Sequence, residues 1–390
     1  MNADFDFRKI ITPTTVVMAL GIMIDAFDLL LYNMLRVPLL TDLGLSGDEL
    51  TKTGIFILNC QVAGMLLGGI AFGILGDRIG RKKAVLGSIF LYSIVTIASA
   101  FAKTPDMYAA LRFLTGFGLA GEVGLGLTLI GETVSNRQRG LALGLATFFF
   151  FFGVFLAGIV SGLFDWKTCH LMAGVFGLTV LVIRAFVVES GLYEKVKNST
   201  ISRGNFLDLF KTRDRTKRFL ASVFLFMPHY FVTNLLITLS PEIGKAVGIA
   251  EPIKANIALT VAVTVTLFGD LIMTFCTHFF KNRKKVLFTA MGVNFLSVLA
   301  FPYLPYGSAW SFYAMCGVLT LSSFSVLANM ISVEQFGTNL RATASTAAIA
   351  AGRGTLIISN LVFLQLKPFG IANAATMMTV GVFAIGFLCW

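Results

Sequence analysis

Residues 21–32 read GIMIDAFDLLLY, with Asp25 and Asp28 three apart in an otherwise apolar stretch. Four more ionisable side chains lie deep in apolar runs: Arg112, Glu122, Asp270 and Arg353. A charge at the centre of a membrane helix costs roughly 2.5–3.5 kcal/mol, so such residues are functional candidates, usually paired or facing a wet cavity. At about 100° per residue, positions 25 and 28 fall on one helix face, roughly 60° apart. Asp28 precedes Arg36 by eight residues, about 12 Å of helix; Arg112 lies about 10 Å into its own run. Asp28 and Arg112 are therefore expected at one depth, with Asp25 a turn deeper. Burial makes a carboxyl hold its proton and a nearby guanidinium makes it release it. This is the outline of a proton-coupling site made of Asp28, Asp25 and Arg112, with Asp28 favoured as the carrier. The alternative is a static ion pair that fixes helix packing. Arg184, five residues before Glu189, is read as a side chain snorkelling to the interface.

The elements that must hold these groups follow from composition. Of 390 residues, 56% are hydrophobic and 13% charged, against about 25% charged in soluble domains. Mean hydropathy is +0.82. Apolar runs of 18 or more residues recur, each long enough to cross a hydrocarbon core of about 30 Å. They are too long and too uniform for barrel strands. The expectation is an all-α membrane protein with about twelve spans, near 14–35, 54–75, 84–102, 108–130, 141–164, 171–188, 219–239, 255–280, 286–304, 311–333, 342–362 and 374–390. The last is the least secure. The net charge of +11 does not argue for nucleic acid: with the N-terminus in the cytoplasm, about 21 of the 31 Lys and Arg fall on that side, the positive-inside bias. The first apolar run has no basic leader and cleavage site, so it is read as a retained span. The five cysteines are scattered without a CxxC pair, which indicates neither a metal nor a disulfide framework.

The stretch 189–218 is the longest hydrophilic segment and divides the chain into six-span halves, 1–188 and 219–390. The halves echo each other. Arg81-Lys82-Lys83 recurs as Arg283-Lys284-Lys285, and Glu132 with Arg139 recurs as Glu334 with Arg341, always offset by 202. An even number of spans per half makes the repeat parallel, one of the known transporter plans.

After the second span stands GILGDRIGRKKA, with the spacing G-x-x-x-D-x-x-G-R-K-K over Gly73, Asp77, Gly80 and Arg81. It resembles the loop signature of the major facilitator superfamily. LRFLTGFGLAGE, with Arg112, Gly116, Gly118 and Gly121, is similar to that superfamily's fourth-helix motif. Glu132 with Arg139-Gly140, Glu189-Ser190, and EQFGTNLRA at 334–342 resemble the charge clusters of its sugar-porter, aromatic-acid and metabolite symporter, and organic-ion branch. DAFD at 25–28 is similar to the D-G-F-D of the aromatic-acid symporters, and GRG at 352–354 to their eleventh-helix G-R. There are departures: Ala26 replaces Gly, Phe279 stands opposite Asp77 in the second half, and E-S-G replaces E-S-P after span six.

The resemblance implies the major facilitator fold of two parallel six-helix bundles. It also implies a coupling role for a first-helix Asp and this fourth-helix Arg. Asp77 would face the positive end of a helix from the other half. With Gly73, Gly80, Arg81, Glu132, Arg139, Glu189, Glu334 and Arg341 it would form a cytoplasmic gate of individually weak pairs, about 0–1 kcal/mol each; loop anchoring at the headgroups is the plain alternative. Arg353, His229, Asn234, Glu122 and Asp270 form the candidate substrate site at mid-depth, a buried Arg suiting a carboxylate or phosphate. Arg353 pairing with Asp270 or Glu122, and His229 simply packed, are the alternatives. Pro228 is expected to kink span seven.

No G-x-x-x-x-G-K-[ST] occurs, so ATP is not expected to drive the cycle. The reading is not an enzyme. It is a secondary active transporter of a small polar or anionic metabolite, working by alternating access as a proton symporter. No metal or cofactor is expected. Its partners are substrate, protons and lipid, with no nucleic acid, and it is expected as a monomer in the cytoplasmic (inner) membrane. A proton-antiport exporter of the same fold, or a non-transporting sensor or scaffold, are the alternatives.

Overall fold

The computed structural model describes residues 13–133, 139–185, 206–280, 282–325, 327–328, 331, 335 and 338–389. The regular structure among them is helical, without a strand. In chain order the helices are α1 (Pro13–Asp42), α2 (Gly47–Ile79), α3 (Arg81–Ser99), α4 (Pro105–Thr133), α5 (Arg139–Leu163), α6 (Trp166–Ala185), α7 (Arg213–Tyr230), α8 (Ser240–Ala246), α9 (Ala255–Phe280), α10 (Arg283–Ala300), α11 (Ala309–Leu321), α12 (Thr338–Leu366) and α13 (Ile371–Leu388). Among the described residues, ten helical segments are long and apolar enough to cross a membrane, and α11 is a shorter apolar helix. In α4, 29 residues occupy the place of the expected fourth span. The weakest expectation, the last span, is an 18-residue helix of crossing length. The chain is an all-α, multi-pass membrane protein.

Local chemistry sets the helix ends. Asp165 precedes α6, and its carboxylate accepts from the backbone N–H of Lys167 and Thr168 at 3.0 and 3.1 Å and from the Thr168 hydroxyl. Those bonds, the hydroxyl's foremost, hold its carboxyl below the usual Asp range. Thr212 and Asn282 cap α7 and α10 with side-chain oxygens. Gly80 turns into α3 at φ +102°, a left-handed conformation natural to glycine. Arg81 opens α3 and Arg283 opens α10, so the 202-residue echo marks equivalent helix starts.

Span seven differs from the uniform helix expected over 219–239. α7 passes Pro228 and gives way to a π-helical segment, Phe231–Leu236. A turn then leads to α8, which begins Ser240-Pro241. Proline removes a backbone donor, and π segments are rare and favour functional sites.

The chain divides into two compact units. The first comprises Met1–Leu31 and Ala63–Gly204, the second Tyr32–Val62 and Asn205–Trp390. The second unit thus includes the Asp42 end of α1 and the first half of α2. In the first unit, Gly64 and Gly68 of α2 lie against the backbone of Phe113 and Phe117 in α4, where a Cβ would strike. Small residues of this kind let membrane helices approach closely, and here they set the position of α4.

Candidate functional site

In the first unit, α1 and α4 bring Asp28 and Arg112 together. Arg112 Nη1 lies 3.4 Å from Asp28 Oδ1, both side chains being buried. The Thr96 hydroxyl of α3 donates to Asp28 Oδ2 at 2.8 Å. The Arg112 guanidinium also lies 5.4 Å over the Tyr108 ring. Behind it, Tyr108 and His170 share a 2.8 Å hydrogen bond, and His170 Nδ1 is 2.6 Å from the Trp166 carbonyl oxygen. A carbonyl only accepts, so Nδ1 carries a proton and donates to it. His170 was not singled out from sequence; a lone histidine in an apolar run gives no signal of its partner.

A second acid–guanidinium pair lies farther along α1, toward its N-terminal end. Glu122 of α4 is ion-paired with Arg184 of α6, and both are buried. Arg184 Nη2 also donates to the Met18 carbonyl at 2.9 Å. This corrects the snorkelling expected of Arg184: its side chain is 1% exposed and turned inward. Gly21 makes room, since a Cβ there would collide with the guanidinium. Asp25, between the two pairs on α1, has no hydrogen-bond partner for either oxygen among the described residues.

In the second unit, α7, its π-helical continuation and α12 gather most of the expected substrate residues. Arg353 lies 6.0 Å over the Tyr230 ring. His229 stands edge-on to Tyr230 and to Phe324, centroids 5.5 and 6.2 Å apart. The His229 carbonyl accepts from Thr233, whose hydroxyl in turn accepts from the Asn234 amide at 3.0 Å. Asp270 of α9 accepts from the Ser325 hydroxyl at 2.9 and 3.2 Å, next to Phe324. Arg353 has no ion pair among the described residues, its described contact being the Tyr230 ring. Glu122 is engaged with Arg184 in the first unit. Tyr230 joins His229 to Arg353 and was missed, because an aromatic in a span is ordinarily packing.

A further cluster in the second unit was not read from sequence. Arg36, fully buried, meets Glu242 of α8 at 2.7 Å and donates to the Thr238 carbonyl at 3.2 Å. The Thr51 hydroxyl reaches the same carboxylate at 3.4 Å. Nearby links are Lys367 to Asp48 at 2.5 Å and Asn360 to Asn59 at 2.6 Å.

Of the expected gate, Gly73 and Gly80 are described. The side chains of Asp77, Arg81, Glu132, Arg139 and Arg341, and the residues Glu189 and Glu334, lie outside the described residues. Among the described residues no group of His, Cys, Asp and Glu has the makings of a metal site.

The family model of the Major Facilitator Superfamily matches residues 18–359. The chain is 24% identical over 361 residues to the inner membrane metabolite transport protein YgcS of Escherichia coli, covering 83% of this chain and 79% of that one. It is 30% identical over 184 residues to the putative niacin/nicotinamide transporter NiaP of Bacillus subtilis, where the match spans 46% of this chain and 45% of the relative, about half of each. The 4-hydroxybenzoate transporter PcaK of Pseudomonas aeruginosa is 29% identical over 45% of this chain and 40% of its own. A crystal structure of a D-xylose-proton symporter superposes with TM-score 0.73 at 18% identity, over 97% of each chain, a likeness of fold. These are transporters and not enzymes, and this chain, a multi-pass membrane transporter, belongs to the Major Facilitator Superfamily.

Proposed function

We propose that the protein is a proton-coupled symporter of an aromatic or heteroaromatic carboxylate. One observation carries the reading: Arg353, a guanidinium without an ion-pair partner among the described residues, stands over the face of Tyr230. A carboxylate bound there would pair with the guanidinium, and its ring would lie against the aromatic edges of Tyr230, His229 and Phe324. The relatives named for niacin and 4-hydroxybenzoate support this class. Asn234 and Asp270 would offer polar contacts to ring substituents.

Coupling is assigned to Asp28 and Arg112, with Asp25 beside them. Protonation of Asp28 would release Arg112, and deprotonation would recapture it. The two halves, 1–188 and 219–390, would rock as six-helix bundles about the midplane, joined by the cytoplasmic linker 189–218, with the N-terminus on the cytoplasmic side of the inner membrane. Asp77 and the charge clusters at 132–139, 189 and 334–341 would close the cytoplasmic side. Arg36 and Glu242 would close the other. The protein would act as a monomer.

The test is uptake of radiolabelled 4-hydroxybenzoate or nicotinate into proteoliposomes. Accumulation with an inside-alkaline gradient and its loss in Arg353→Gln are expected. Efflux driven by the same gradient would indicate an exporter. Absence of flux with both probes, against a panel of metabolites that also fails, would indicate a sensor.

A further inference from the structure

The first unit holds more ionisable groups than the Asp28–Arg112 pair needs. Along α1 stand Gly21, Asp25 and Asp28, about 10 Å from end to end. Opposite Gly21 lies the Glu122–Arg184 pair and opposite Asp28 lies Arg112. Asp25 stands between them, with Glu122, Arg184, Tyr92 and Asp28 as its ionisable neighbours. Three carboxyls therefore share two guanidinium groups. None of the five is more than 1% exposed.

Charge balance decides what this set holds. Two ion pairs leave one carboxyl over, and an unpaired carboxylate in a dry interior binds a proton rather than stay charged. Asp28 has Arg112 and the Thr96 hydroxyl. Glu122 has Arg184. Asp25 is ion-paired with neither cation, and the polar group beside it is the uncharged Tyr92 hydroxyl. No other described group corrects the balance. α5 contributes no ionisable side chain over its described part, residues 145–163. His170 lies behind Arg112, against Tyr108 and the Trp166 carbonyl, and is not among the ionisable neighbours of Asp25. Lys82 of α3 is spent at the helix end, donating to the Ala185 carbonyl in an exposed position.

We infer that Asp25, Glu122 and Arg184 form a proton-holding site, beside the Asp28–Arg112 pair, that stores one proton on Asp25. This deepens the proton-coupled reading and names Arg184 and Glu122 as parts of it. Arg184 fixes where the proton rests. If the guanidinium exchanges Glu122 for Asp25, the Asp25 O–H gives its proton to Glu122. One carboxyl then loses a proton and the other gains it, and the net charge is unchanged. The glycine at position 21 leaves the guanidinium room for that exchange, and a side chain there would lock it.

Infrared spectroscopy of the purified protein in lipid vesicles tests this without substrate, by the C=O stretch of buried protonated carboxyls. Asp25→Asn is expected to remove one such band. Arg184→Gln is expected to add one, because Glu122 loses its cation and takes up a proton. Arg184→Gln with Glu122→Gln restores charge balance and is expected to return the wild-type count. That double variant also serves if Arg184→Gln alone does not fold. An unchanged spectrum in Asp25→Asn would overturn the proposal, and so would an unchanged count in Arg184→Gln or a changed count in the double variant. A purely structural Arg184 would move stability but not the number of protonated carboxyls. If the bands behave as stated while neither 4-hydroxybenzoate nor nicotinate is accumulated, the substrate reading fails and the proton site stands.

Discussion

Removing the charge of Asp28 should cost the fold more at neutral pH than its small volume suggests, and in a way that differs from removing Arg112. In Asp28→Asn, Arg112 stays fully buried, with the Ser99 hydroxyl at 3.5 Å and the Tyr108 ring among its neighbours and no carboxylate partner at position 28. Breaking a buried pair from one side costs about 3–5 kcal/mol, since the remaining charge is uncompensated. A guanidinium cannot escape by losing its proton. Arg112→Gln leaves Asp28 instead, still accepting from the Thr96 hydroxyl at 2.8 Å, and should cost less. The double variant Asp28→Asn with Arg112→Gln, which leaves no charge, should lose no more than about 1–2 kcal/mol, well short of the sum of the singles. Denaturant unfolding in mixed micelles at pH 7 measures all four proteins. Additive losses would refute the claim that these two groups compensate each other in a dry interior.

Glu242→Gln should free Arg36 at a cost of about 3 kcal/mol, the lower limit for a buried pair because Glu242 is partly exposed. On the alternating-access reading that shifts the conformational balance on the order of 100-fold. Maleimide labelling of Ser240→Cys in a cysteine-free background should speed up accordingly, and an unchanged rate would deny the pair a closing role. Tyr230→Ala should raise the KM for an aromatic acid while leaving gradient dependence intact; a lost gradient response with KM unchanged would misplace the substrate. Asp165→Ala should cost about 0.5–2 kcal/mol as a lost helix cap. Its folded pKa is depressed, so the cap's contribution is present above the unfolded value and fades as pH falls through the folded one. The gap between variant and wild type, followed by thermal unfolding, should close in acid.

What sequence could reveal depended on the distance over which each feature is determined. The Asp28–Arg112 meeting was legible because helical rise alone puts both residues at one depth on neighbouring helices. The repeat offset likewise made α3 and α10 equivalent, although the basic runs, read as lying just before spans at 84 and 286, form the first turn of each helix. Arg184 was misread because its distance from the interface is ordinary. Only the packing of α1 through Gly21 turns it inward, and helix faces that meet across more than 150 residues leave no local trace. Arg36 served as a marker of a span's end, and its partner Glu242 lies 206 residues away. The break in span seven was half legible. Pro228 announced a disturbance, but the π segment that follows it and the restart at Ser240 depend on tertiary packing.

The most direct measurement is accumulation of labelled 4-hydroxybenzoate or nicotinate in proteoliposomes, wild type beside Asp28→Asn, with and without an inside-alkaline gradient. The account predicts that wild type concentrates substrate above equilibrium only with the gradient. Asp28→Asn should still exchange labelled for unlabelled substrate but never concentrate it. Concentration by Asp28→Asn equal to wild type, at the same gradient, would contradict it.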